Sequence, residues 1–214
     1  MQDLVVLVAD KNMQFALRGV LERPQALGIQ PGSYEFRTHP GRDGGVRANG
    51  PDVLAGERNR FKHALVLLDF DGSGETDLTP LELEAAIDQR LMAAWAKHGK
   101  AIVIEPEVDV WLWGSDNKLR EILNWPLPGS IRDWLRGQGF QFTNDGKPLR
   151  PKEALDAMRA VHKQPRSSAM YEKVTRQISL KRCGDAAFVR LRMQLKAWFE
   201  KPAPSNCNLE EPLP

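Results

Sequence analysis

Two aspartates one residue apart, Asp69 and Asp71, close an apolar run and open a Gly-Ser-Gly turn in "LVLLDFDGSGETDLTPLELE", Leu65 to Glu84. Carboxylates at this spacing serve three chemistries. They ligate calcium in a loop, they divide into nucleophile and general acid/base for phosphoryl transfer, or they hold Mg²⁺ at a phosphodiester. Hard carboxylates converging on one point are relieved by a hard cation, which then neutralises a phosphate in transit. Asp10, Glu105 and Glu107 follow other apolar runs, and His39 ends another extended stretch.

The calcium reading fails on spacing. With Asp69 as the first position of a calcium loop, the last position, which needs a bidentate Glu, is Pro80. "LVLLDFDGSG" resembles the first motif of haloacid-dehalogenase-type phosphatases, but more than sixty residues precede it and no helix-borne Lys is well placed. A Toprim-type site accounts for more of the chain: it uses a Glu after the first strand and a paired acid after the third. Asp69 and Asp71 stand at the third run. At the first, "VLVADKNMQFAL" has Ala9 where the Glu is expected, with Asp10 the nearest acid. A missing general acid/base costs about 10²–10⁴-fold in rate.

These residues need a scaffold. Leu4–Ala9 reads as a buried strand, Asp10 as the cap of a helix carrying Ala16, Leu17, Val20 and Leu21, and Tyr34–Thr38 as a second strand. "HPGRDGGVRANGPD" reads as a glycine-rich loop, with a helix over Val53–Lys62 and a third strand over Ala64–Leu68. Thr79-Pro80-Leu81-Glu82 is a capping box opening a helix to Lys97, and Ala101–Ile104 a fourth strand. Helices are predicted over 117–124, 130–138, 151–163, 167–180 and 184–200. Alternating strands and helices predict an α/β fold: a four-stranded, mostly parallel sheet with flanking helices, followed by a C-terminal helical region. The expected division is a core over 1–114, a helical basic region over 115–201 and a flexible tail over 202–214. In such sheets function collects at the C-terminal strand ends, where these acids fall.

Composition narrows the class. Of 214 residues, 42% are hydrophobic and 27% charged, the balance of an ordinary globular protein. No apolar run is long enough to span a bilayer, no signal peptide is evident, and two cysteines, Cys183 and Cys207, give no disulfide framework. A cytoplasmic protein is the expectation. Net charge is only +2, but residues 152–201 hold twelve Lys/Arg against five Asp/Glu. That excess is either a solvated helical face or a surface for nucleic acid or an acidic partner. Arg166, Ser167, Lys181 and Arg182 are its candidate contacts, with His39 and Arg42 from the glycine-rich segment. Ser167 also suits a helix N-terminus, where free N–H groups favour anions.

"HPGRDGG" (His39 to Gly45), "PEVDVWLW" (Pro106 to Trp113), "KPLRPKEAL" (Lys147 to Leu155), "RSSAMY" (Arg166 to Tyr171) and "CGDAAFVRLRMQLKAWF" (Cys183 to Phe199) occur in that order. In this the chain resembles small bacterial Toprim-like proteins of anti-phage defence, in particular a subunit of the methylation-associated defence system. The resemblance runs from about Val5 to Phe199. Similar sequences carry D-x-E-G-x-G where this one has Asp69 to Gly74. The resemblance implies that Glu107 and Asp109 belong to the site region and that His39 and Asp43 face it. An active protein would be a Mg²⁺-dependent nuclease with Asp69, Asp71 and Glu105 as metal ligands, and with Glu107 and Asp10 as further catalytic acids. An inactive one would be a scaffold binding other defence-system subunits. Acids grouped on an open groove suit the first, and acids capped by Arg or Lys suit the second.

Overall fold

The computed structural model describes residues 1–162, 167–181 and 183–200. Its elements are β1 (Gln2–Val8), α1 (Lys11–Leu21), α2 (Pro24–Leu27), β2 (Tyr34–Thr38), α3 (Arg42–Ala55), β3 (Phe61–Asp69), α4 (Pro80–Trp95) and β4 (Gly99–Ile104). Then come a 3₁₀ segment (Val108–Gly114), α5 (Asp116–Leu123), α6 (Ile131–Gly137), α7 (Pro151–His162), α8 (Ser168–Thr175) and α9 (Ala186–Phe199). The four strands form one sheet in the order β2-β1-β3-β4, every pair parallel. This is the expected α/β arrangement, with the strands all rather than mostly parallel.

Parallel strands covered on both faces must be apolar throughout. Leu4 to Val8, Ala64 to Leu68 and Ala101 to Ile104 are accordingly buried. α3 and α4 pack against each other and on β1, β3 and β4, whereas α1 contacts β1 and β2, and α9 contacts β4. The caps read from sequence form: Asp10 accepts from the Met13 N–H, and Thr79 and Glu82 make a reciprocal capping box.

The glycine-rich segment departs from expectation. Most of "HPGRDGGVRANGPD" is α3, which ends at Ala55, and β3 begins at Phe61, so the helix expected over Val53–Lys62 lies earlier in the chain. Glycine is a poor helix former, and the composition argued for a loop. Packing overrides that preference. A Cβ on Gly45 would run into the His39 ring, and one on Gly50 would lie 3.1 Å from Leu7 Cδ2. The glycines let α3 lie directly on the sheet.

β4 is an edge strand, and its outward N–H groups need partners. α4 supplies them. Asp88 accepts from the Ala101 N–H at 2.6 Å, and Glu84 from the Val103 N–H at 3.0 Å. Helix residues four apart thus serve strand residues two apart. Glu84, 4% exposed, also receives Arg190 Nε at 3.0 Å and Nη2 at 2.9 Å from α9, and Lys100 Nζ at 3.1 Å. Arg190 Nη2 donates as well to the Val103 carbonyl at 3.0 Å. A carboxylate–guanidinium pair stands where a fifth strand would bond.

Candidate functional site

Asp69 is the last residue of β3, and its position follows from that strand's register. Its Oδ1 accepts from the Val108 N–H at 2.8 Å, and its own N–H donates to Asp43 Oδ1 at 2.7 Å. Asp43 lies in the first turn of α3, where the helix dipole favours a carboxylate. Gly72 is required beside it, because a Cβ there would lie 2.5 Å from Asp43 Oδ2. Two further buried acids follow β4: Glu107 at the N-cap of the 3₁₀ segment and Asp109 within it. Asp109 Oδ1 accepts from the Tyr171 hydroxyl of α8 at 2.7 Å.

The electrostatics of this cluster are unfavourable to charge. Burial pushes the Asp69 pKa well above the usual carboxylate range, and Asp43, Asp109 and Glu107 add repulsion. Asp43 is raised by burial and by Asp10, against the Asp69 N–H bond that favours its charge. Glu107 is raised by burial and by Asp109. Among the described residues a lysine answers them. Lys152, in the first turn of α7, places Nζ 3.0 Å from Glu107 Oε2. Burial works against the ammonium, but Glu107, Asp109 and Asp69 outweigh it and raise the Lys152 pKa.

The other expected residues are dispersed. Asp71 and Glu105 are exposed and line a cleft outside the strand ends, on which Asp69 does not open. The Asp71 pKa is raised by burial and by Glu153. Asp10 caps α1 and shares a crevice with His39 and Arg42 at the ends of β1 and β2. The His39 ring is fixed there: Nδ1 accepts from the Gly41 N–H at 3.0 Å, which makes Nε2 the donor to Asn49 Oδ1 at 2.8 Å. Ser167 stands at the N-cap of α8 without a capping side-chain bond, and Lys181 is exposed in a turn. Arg166 and Arg182 lie outside the described residues. Several of the C-terminal basic residues are engaged internally: Lys152 with Glu107, Arg176 with Glu22 and Glu172, and Arg190 with Glu84.

As placed, these carboxylates do not fit a Mg²⁺ ion. Among the described residues, no group of three or more His, Cys, Asp or Glu side chains could hold a metal. Asp69 and Asp43 are committed to backbone N–H groups, Asp109 to Tyr171 and Glu107 to Lys152. Lys152 and Tyr171 were not singled out as site residues from sequence. One local signal existed for Lys152: a lysine in a helix's first turn opposes the helix dipole, so its partner lies elsewhere.

The chain is therefore an α/β protein with an acidic, lysine-capped end to its parallel sheet. No family model matches it. No curated protein matches it either. Among solved structures it is similar to the C-terminal region of the Burkholderia pseudomallei OLD protein, at 12% identity and a TM-score of 0.48, over 92% of this chain and 98% of that one. No helix among the described residues is long and apolar enough to cross a membrane.

Proposed function

We propose that this protein is a non-catalytic Toprim-like subunit that binds partner proteins of a bacterial anti-phage defence system. The observation that carries the reading is Lys152, whose ammonium sits 3.0 Å from Glu107 and feels the charges of Asp109 and Asp69. An internal lysine answers the acids' mutual repulsion without bringing a Lewis acid to a phosphate. Ala9, in place of the Glu expected after the first strand, removes the usual general acid/base. The order of motifs from "HPGRDGG" to "CGDAAFVRLRMQLKAWF" supports the defence assignment.

The test is cleavage of end-labelled single- and double-stranded DNA and RNA with Mg²⁺ or Mn²⁺. The expected result is no cleavage beyond buffer alone. Cleavage by the wild type that disappears in Asp69→Asn would overturn the proposal and restore the Mg²⁺-dependent nuclease.

A further inference from the structure

Outside the ends of β3 and β4, facing the start of α9, lies a cleft of about 460 Å³. Its lining combines apolar surface with acids. Phe70, Pro106, Val110 and Pro148 supply the first, and Leu149, 49% exposed, stands at the edge. Asp71, Glu105 and Asp145 supply charge, with the buried Lys147–Asp185 pair behind them.

The positive groups of the cleft are already engaged. Lys147 Nζ is 3.4 Å from both Asp185 and Asp145. The N-terminus of α9 is capped by Asp185, which accepts from the Phe188 N–H at 2.9 Å and the Trp111 indole at 3.0 Å. The outer acids are less compensated: Lys152 eases the charge of Asp71 from a distance, against burial and Glu153, without pairing with it. Among the described residues neither Asp71 nor Glu105 has an ion-pair partner, and the Asp71 N–H bonds the Pro106 carbonyl at 3.2 Å, which holds the two acids' segments together.

Three kinds of ligand can be weighed. Nucleic acid would bring phosphates against a net-negative wall. A metal ion caged by protein alone calls for several convergent ligands, and the described residues offer no group of three or more His, Cys, Asp or Glu that could hold one. A guanidinium or ammonium on an aliphatic stem matches both halves of the lining, its charge among spread carboxylates and its methylenes on apolar surface.

We propose that this cleft receives a Lys- or Arg-bearing segment of a partner protein, with the cation held by Asp71 and Glu105 and a neighbouring apolar side chain against Leu149. The inference rests on the binding-subunit reading above and names the chemistry of its partner. The test is fluorescence anisotropy of a labelled peptide of alternating Leu and Arg, in EDTA at about 0.15 M salt, where long-range attraction is screened. A Leu-Glu peptide and the exposed-acid variant Glu121→Gln serve as controls.

The wild type and Glu121→Gln are expected to bind the Leu-Arg peptide equally. Asp71→Asn/Glu105→Gln is expected to bind at least about tenfold more weakly with an unchanged melting temperature. Leu149→Ser, which keeps every charge, is expected to weaken binding severalfold. Unaltered affinity in the double variant, an equal loss in Glu121→Gln, or no saturable binding at millimolar peptide overturns the cleft assignment. A parallel Mg²⁺ cleavage assay separates the two proposals. Cleavage with peptide binding intact overturns only the non-catalytic reading, and absence of both overturns only the cleft.

Discussion

Glu84→Ala should be among the most destabilising substitutions in this chain, because Glu84 joins an edge strand to two helices. The change strips the Val103 N–H of its acceptor and takes from Arg190 the carboxylate that holds Nε and Nη2. An unpaired buried N–H costs about 1–3 kcal/mol, and breaking a buried ion pair about 3–5 kcal/mol in all. Arg190 is 26% exposed and keeps the Val103 carbonyl, and Lys100 keeps Asp88, so the low end applies: about 3 kcal/mol. For a chain of this size that is a fall in melting temperature of about 6–12 °C. Glu84→Gln keeps an acceptor for the Val103 N–H and should lose about half as much. The assay is thermal and urea unfolding followed by circular dichroism, with Arg190→Met and the double variant closing a cycle. A Glu84→Ala loss below about 1 kcal/mol, or strict additivity with Arg190→Met, would refute the claim that this pair terminates the sheet.

Three other outcomes follow from the same geometry. Lys152→Met leaves buried Glu107 without its cation, so its pKa rises further; stability should fall by about 1–2 kcal/mol at pH 8, discounted for a half-exposed lysine, and recover as Glu107 protonates towards pH 5, read by melting temperature against pH. His63 stacks on Trp198 with its pKa lowered to about 4 by burial and by His98, so its contribution is complete above about pH 6.5 and is lost as pH falls towards 4; His63→Phe should flatten that part of the profile relative to wild type. Gly45→Ala drives a methyl into the His39 ring and should cost about 1–3 kcal/mol by urea unfolding, whereas Gly137→Ala, with open space around it, should cost little.

Much of the scaffold was legible because it is written in short-range chemistry. Continuous apolar runs marked the strands, the Asp10 cap and the Thr79–Glu82 box marked two helix starts, and Pro151 and Asp185 sit beside the predicted starts of α7 and α9. α3 was not legible, because its glycines serve contacts with His39 and Leu7 that no local pattern announces. The site was half legible. Acids at strand ends were visible, but which of them converge depends on partners far along the chain: Lys152 lies 45 residues from Glu107, and Tyr171 62 from Asp109. For the same reason counting basic residues overstated the free positive surface, since Lys152, Arg176 and Arg190 pair with acids of other elements. Glu84 and Asp88 read as ordinary polar positions of α4 until the edge of the sheet is placed beside them.

The central claim, that Lys152 occupies the electrostatic role of a metal, is tested most directly by titrating Mg²⁺ calorimetrically into the wild type, Lys152→Met and Asp69→Asn/Asp71→Asn. The account predicts no binding heat at millimolar Mg²⁺ from the wild type, and none from Lys152→Met, in which Asp69, Asp43 and Asp109 stay committed to backbone N–H groups and Tyr171. Saturable Mg²⁺ binding by the wild type that vanishes in Asp69→Asn/Asp71→Asn would contradict it.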